Sequence, residues 1–375
     1  MTTSPSTGSE KRLKIGVVGL GKMGLSHFSI VNAHPLTDTV VCDATKYMVD
    51  TLARYIPNKI HTDFHRMLDA EKDLGAVVIA TPSKSHAPLA EAALDRGLAV
   101  FCEKPLCLDP AQSTVLADKA EAAGLVNQVG YHYRYVGAFQ EAGRILASGA
   151  LGRTTFAHAQ AYGPVVLKPK RTTWRTSKAE GGGCLYDYAA HPINLLNWYF
   201  GRPATVTGTV LNSIFSTDTD DEVYATFGFD GGMTAQLSVN WSDESHRKMS
   251  TSIDVIGTNG RLYADRQECR LYLRAASDAL PDYAEGWNTR YTTDLTRQSW
   301  FYLRGEEYSN QMDDFIRAAA TGAEREVVND FRSGAVTDET IARILAGGDL
   351  GDGVQRAAPP PPASKGWRAR MGLGG

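Results

Sequence analysis

The chain has 375 residues, 43% of them hydrophobic and 22% charged, with a net charge of −3. That length exceeds one ordinary core and fits a dinucleotide-binding domain joined to a second domain. The charge balance lacks the basic excess that nucleic-acid binding needs, and no apolar run is long enough for a membrane span or a signal-peptide core, so neither partner is expected. Five cysteines (Cys42, Cys102, Cys107, Cys184, Cys269), an odd number without a C-x-x-C pair, read as reduced structural thiols of a cytoplasmic protein.

Residues 1–12 are rich in Ser and Thr and form an expected disordered N-terminus. From 13 to 130 short apolar runs alternate with helical patterns, the pattern of βαβ units around a buried parallel sheet. The predicted strands are 13–18, 39–42, 59–61, 76–79, 99–102 and 126–128. Predicted helices include 85–96 and 109–123, the latter with Asp109 as N-cap and Pro110 in the first turn. After about residue 153 the rhythm changes to longer alternating runs: 154–162, 204–215, 222–229, 233–240 and 250–256, the last turning back through Asn259-Gly260 as a hairpin. Helical patterns return at 309–320 and 338–346, and a Pro-rich tail over 351–375 is expected to be disordered. The predicted fold class is therefore an α/β Rossmann domain (13–130) followed by an α+β domain (131–350) with a large, mainly antiparallel open sheet.

The first strand runs into Gly19-Leu20-Gly21-Lys22-Met23-Gly24 and then a helix, the context in which G-x-G-x-x-G signals a dinucleotide. Gly19 permits the tight turn, Gly21 lets backbone approach a pyrophosphate, and Gly24 lets helix and strand pack closely, while the helix N-terminus attracts phosphate charge. Asp43, nineteen residues beyond Gly24 and after the second strand, is placed to accept the ribose hydroxyls of NAD. A carboxylate there disfavours a 2′-phosphate, although Lys46 nearby keeps NADP possible. Ligands of open α/β sheets bind outside the carboxyl ends of the strands. Thr81, Pro82 and His86 after the fourth strand, and Glu103, Lys104 and Pro105 after the fifth, therefore border the expected nicotinamide crevice. His27, His34, His61, His65 and His158 have no ligand spacing and read as surface or packing residues, and no metal is expected.

With Glu103-Lys104-Pro105, the Thr81 to His86 segment and the glycine-rich stretch from Gly181 to His191, the sequence resembles the glucose-fructose oxidoreductase, inositol dehydrogenase and rhizopine-catabolism (Gfo/Idh/MocA) family. Gly130-Tyr131-His132-Tyr133-Arg134-Tyr135, the Trp174-Arg175 pair and the turn Ser148-Gly149-Ala150-Leu151-Gly152 extend the resemblance, which spans roughly 13–346. It implies hydride transfer at a secondary carbinol of a sugar, polyol or derivative, with Lys104, Asp187 and His191 as the catalytic trio. It also implies Trp174 and Arg175 beside the cofactor, Tyr131, His132 and Arg134 beside the substrate, and assembly as a homodimer or homotetramer. The chemistry agrees: a histidine takes the hydroxyl proton near neutrality and an ammonium stabilises the developing alkoxide. Asp187, four positions before His191, lies on the same helical face and can orient its imidazole. Pro192 directly follows, so either the helix begins near Pro192 with His191 at its start or it is kinked there.

Lys168, Lys170 and Arg171 offer recognition of an anionic substrate or, equally, a solvated loop. Two other readings stand beside the dehydrogenase. One is a sugar hydrolase or epimerase that retains NAD and oxidises its substrate transiently; the other is a non-catalytic NAD-binding sensor.

Overall fold

The computed structural model describes residues 12–167, 174–324 and 329–349. The expected N-terminal disorder, the cations Lys168, Lys170 and Arg171, and the Pro-rich tail lie outside the described residues, Arg12 and Asp349 being the outermost described.

The first sheet contains β1 (Leu13–Val18), β2 (Thr37–Cys42), β3 (Ile60–His61), β4 (Leu74–Ile79), β5 (Ala99–Cys102) and β6 (Asn127–Val129). All pairs are parallel, in the order β3-β2-β1-β4-β5-β6, so the winding direction reverses between β1 and β4. Its central strands are continuously apolar because both faces are covered. One face packs on α3 (Phe64–Ala70), α4 (His86–Leu94) and α5 (Pro110–Ala122) through Val77, Ile79 and Val100. Asp109 caps α5 as expected, accepting the Ala111 N–H at 2.9 Å. The opposite face, from Ile15, Val17, Val78 and Phe101, meets α1 (Lys22–Ala33). The same face also receives Met312, Phe315 and Ile316 of a helix from much later in the chain, Glu306–Thr321.

α2 (Lys46–Leu52) follows β2, and α6 (Gly137–Ala147) leads from the first sheet to the second. The second sheet comprises β7 (Thr154–Tyr162), β8 (Thr205–Asn212), β9 (Glu222–Gly228), β10 (Thr234–Asn240), β11 (Ser250–Gly257), β12 (Gly260–Asp265), β13 (Glu268–Leu273) and β14 (Gly286–Tyr291). Their order is β14-β13-β12-β11-β7-β10-β9-β8, antiparallel throughout except for the parallel pair β7 and β10. Ala157, Ala159 and Ala161 of β7 point inward, and their small side chains let α7 (Ala190–Phe200) lie close across the sheet. After α8 (Thr292–Leu295) and the Glu306–Thr321 helix, α9, the chain ends its described part with α10 (Phe331–Leu345), packed on α5 and α7. No element of the described chain covers the other face, where Phe156, His158, Gln160 and Tyr162 alternate with the buried alanines. No helix among the described residues is long and apolar enough to cross a membrane.

The Asn259-Gly260 hairpin forms with a shifted turn. Gly257 pairs with Gly260, so the two-residue loop is Thr258-Asn259, and neither residue adopts a left-handed φ. Gly260 is required for a different reason: a Cβ there would stand 1.9 Å from the Tyr272 carbonyl oxygen of β13.

Candidate active site

The glycine loop joins β1 to α1. Gly19 has φ +85°, and a Cβ on Gly24 would stand 1.7 Å from the Gly19 carbonyl oxygen, so helix and turn meet backbone to backbone. A Cβ on Gly21 would meet nothing within 4 Å; the backbone there borders open space. Gly21 is the N-cap of α1 and no side chain caps the helix, which leaves its first N–H groups free for an anion. Leu20 contributes differently: its N–H donates to Asp43 Oδ2 at 2.6 Å, while Thr45 N–H donates to Asp43 Oδ1 at 2.7 Å. The carboxylate expected to hold a ribose is thus fixed in position by the loop expected to hold the pyrophosphate. An open, uncapped helix start beside an anchored carboxylate fits a dinucleotide.

At the carboxyl ends of β4 and β5 the expected residues divide. His86 is buried, with Nδ1 2.8 Å from the Pro105 carbonyl and Nε2 3.0 Å from the Thr81 carbonyl. It ties the two loops together and turns neither nitrogen to the crevice. The Thr81 hydroxyl accepts from Ser85 at 2.9 Å, and the Pro82 carbonyl accepts from the same hydroxyl at 2.7 Å. The peptide between Lys104 and Pro105 is cis. Lys104 Nζ donates to the Asp187 carbonyl at 2.9 Å and the Tyr186 carbonyl at 3.3 Å, and lies 3.2 Å from Asp187 Oδ1.

Asp187 does not reach His191. Its second oxygen, Oδ2, accepts from Arg175 Nε at 2.7 Å, so the carboxylate is shared between two cations and the imidazole is left without it. Burial raises the proton affinity of Asp187, but Lys104 and Arg175 outweigh it and hold the carboxyl below its ordinary range. Arg175 therefore belongs to this ionic cluster, with the half-exposed Trp174 ring 4.7 Å from its guanidinium.

Both residues of the Asp187 and His191 pair are helical, by a route the sequence left open. A π-helical turn, Leu185–Ala189, runs directly into α7, and Pro192 is its third residue. Proline lacks an N–H and its ring collides with the carbonyl four residues earlier in an α-helix. The wider π-turn, with Ala190 N–H reaching back to Leu185, relieves that collision and keeps the helix continuous.

His191 is buried, and its Nδ1 has no hydrogen-bond partner. Tyr133, His132 and Tyr131 surround it with ring centroids at 4.8, 4.9 and 6.1 Å. Burial first, then the charges of Lys104 and Arg266, push its pKa well below the ordinary imidazole value, so it is neutral at pH 7. His132 is displaced the same way by burial, His191 and Arg266, and stacks on Tyr308 of α9 at 4.3 Å. Arg134, expected beside a substrate, points elsewhere. It is buried with Nε donating to Asn194 at 2.8 Å and its guanidinium 5.3 Å from the Trp198 ring.

Two contributors, Arg266 and Tyr308, had no sequence signal. Arg266, on the turn after β12, lies over Tyr133 and pairs with Glu307. Tyr308 comes from α9. Of the histidines read as surface or packing residues, His27 and His34 are enclosed packing residues, paired with Glu103 at 2.6 Å and Asp313 at 3.0 Å. His61 also meets a carboxylate, Glu71, at 2.9 Å.

Two family models match the chain. The oxidoreductase family model with NAD-binding Rossmann fold covers residues 13–131, and the GFO/IDH/MocA C-terminal domain covers 139–263. Inositol 2-dehydrogenase 4 of Saccharopolyspora erythraea is 31% identical over 201 residues, 52% of this chain and 56% of that protein, so this match spans about half its length. The scyllo-inositol 2-dehydrogenase (NAD(+)) of Bacillus subtilis is 25% identical over 356 residues, 90% of this chain and 99% of its own. The solved structure of a levoglucosan dehydrogenase in complex with NADH superposes with TM-score 0.77 at 24% identity, over 89% of this chain and 97% of that one.

Proposed function

The chain belongs to the GFO/IDH/MocA oxidoreductase family, and from that premise we propose that it transfers a hydride between a nicotinamide and a secondary hydroxyl or ketone of a sugar, polyol or sugar derivative. The observation that carries this reading is a lysine ammonium at the end of β5, 3.2 Å from a buried carboxylate oxygen and electrostatically coupled to a neutral buried histidine. Lys104 follows the carboxyl-terminal end of β5, the side of the first sheet to which the glycine loop opens, while Asp187 and His191 come from the π-turn and α7 that pack on the second sheet.

In this reading NAD, when bound, supplies the hydride acceptor. His191, neutral at pH 7, takes the hydroxyl proton, and Lys104 stabilises the oxygen as charge develops on it. Asp187 holds the ammonium in place, and Arg175 braces Asp187 from the other side. Gly19, Gly21, Gly24, Lys22 and Met23 form the pyrophosphate turn, Leu20 anchors Asp43, and Asp43 takes the ribose. Residues 13–130 serve the cofactor and 131–350 the substrate, with His132 and Tyr131 lining its place. The same proposal puts the enzyme in the cytosol as a homodimer or homotetramer paired through the open face of the second sheet. A light-scattering mass at the monomer value of 40.7 kDa at micromolar concentration contradicts that assembly.

The test is a panel of scyllo- and myo-inositol, levoglucosan, aldoses, sugar acids and nucleotide sugars, followed by nicotinamide absorbance with added NAD. Relatives with names in the first two classes make these the first compounds to try. Turnover with free exchange of nucleotide supports the dehydrogenase. Turnover without added nucleotide, by protein that keeps its NAD through gel filtration, replaces it with the NAD-retaining alternative. No absorbance change across the panel overturns the reading.

A further inference from the structure

His27 sits in the second turn of α1, the helix that starts in the glycine loop, and has no solvent exposure. Its Nε2 is 2.6 Å from Glu103 Oε1. A carboxylate only accepts hydrogen bonds, so Nε2 donates to it, and Nδ1 has no partner. The ring stands edge-on to Phe101 of β5 at 5.1 Å, which fixes its plane. Glu103 Oε2 in turn accepts the backbone N–H of Lys104 at 3.1 Å. A third wall is Gly130 after β6, where a Cβ would come within 2.7 Å of the same oxygen. The carboxylate is therefore confined by α1, by the backbone of Lys104 and by the end of β6.

We propose that His27 is a positioning residue: through Glu103 it links the helix of the glycine loop to the backbone of Lys104, so that the cofactor turn and the ammonium are held in one register. The role of Lys104 rests on the hydride-transfer reading; the link itself does not. Burial works against the charge of Glu103, and the His27 hydrogen bond, with the neighbouring Lys104 ammonium, outweighs it and keeps the carboxyl below its ordinary range. Other titratable groups facing Glu103 are His86 from α4, Tyr131 after β6 and Tyr308 from α9. His86 and His132 are driven toward the neutral form by burial, and both tyrosines are pushed up by burial. These neighbours are thus held toward their uncharged forms, and the hydrogen bond from His27 acts on the Glu103 carboxylate.

The experiment is NADH binding, by fluorescence titration of purified full-length protein between about pH 5 and pH 9, for wild type, His27→Phe, His27→Gln and Glu103→Gln. Phenylalanine fills the space without a donor; glutamine restores one. Losing a hydrogen bond to a buried charge removes roughly tenfold in affinity. His27→Phe should therefore bind NADH about tenfold more weakly near pH 6 and recover toward wild type by about pH 9, an acid limb the wild type lacks. His27→Gln should stay within about twofold of wild type throughout. Parallel curves for His27→Phe and wild type overturn the proposal, as does His27→Gln behaving like His27→Phe, because a purely structural histidine produces a pH-independent loss. If His27→Phe does not fold by circular dichroism, Glu103→Gln decides: it should show weakened affinity at every pH, and wild-type affinity overturns the link. No sugar is needed for these curves. An inactive substrate panel beside the expected NADH curves therefore removes the proposed function alone.

Discussion

Under the proposed reading, cofactor choice rests on a single residue, Asp43. Its two oxygens accept the N–H groups of Leu20 and Thr45, so the carboxylate cannot swing away from a ribose edge to admit a 2′-phosphate. We expect kcat/KM for NAD to exceed that for NADP by about tenfold or more, roughly 1.4 kcal/mol, and Asp43→Ala to narrow the gap; equal or better efficiency with NADP contradicts this. His191 gives a pH prediction. To act as base it must be neutral, and its displaced pKa means that activity in the oxidative direction falls only below the ordinary histidine range near pH 6.5. An acid limb in kcat/KM at or above that value contradicts the assignment, and His191→Ala should remove the limb. At this scale Lys104, Asp187 and His191 were singled out in the sequence because each stands in a spaced motif. The partner of Asp187 was not. Spacing sees neighbours on one helix, whereas the cations on Asp187 come from the β5 loop and from the loop before the π-turn. His27 and Tyr308 escaped for the same reason, since what each touches lies on another element.

Among the elements, the parallel strands were readable because burial on both faces makes them uniformly apolar. β14 carried no comparable signal: none of its residues is buried, and Trp287 and Tyr291 are exposed. The return of α9 to the first sheet was also illegible, since periodicity marks an apolar face without saying which sheet it meets. α10 yields an element-scale prediction. Its Asp338 is enclosed, with Oδ2 accepting Cys107 N–H at 3.0 Å and Ser113 Oγ at 2.7 Å, while Oδ1 has no partner. Burial pushes its pKa up to about 7, against the hydrogen bonds that lower it. A folded pKa above the unfolded carboxylate value of about 4 means that the protonated form stabilises the fold. That contribution is complete below about pH 4 and is lost as pH rises through about 7. Asp338→Asn keeps an acceptor and cannot ionise, so its melting temperature relative to wild type should rise between about pH 5 and pH 8. Taking the difference cancels the buried histidines, which titrate in both proteins; a difference independent of pH contradicts the prediction.

For the molecule as a whole, two sheets are joined so that the ends of β4 and β5, the π-turn before α7 and the segment after β6 come together around Lys104 and His191. The two-sheet architecture followed from the change of rhythm near residue 153. Arg266 and Tyr308, which pack on Tyr133 and His132, come from late in the chain and were not foreseen. The central claim is that this site transfers a hydride with Lys104 beside the reacting oxygen, and Lys104→Ala tests it, with turnover on the substrate found in the panel and NAD affinity measured on the same protein. The account predicts a loss of turnover of roughly two or more orders of magnitude, the scale of removing one electrostatic stabiliser, with NAD affinity little changed. Near wild-type turnover contradicts it, and loss of NAD binding instead assigns Lys104 to the cofactor alone.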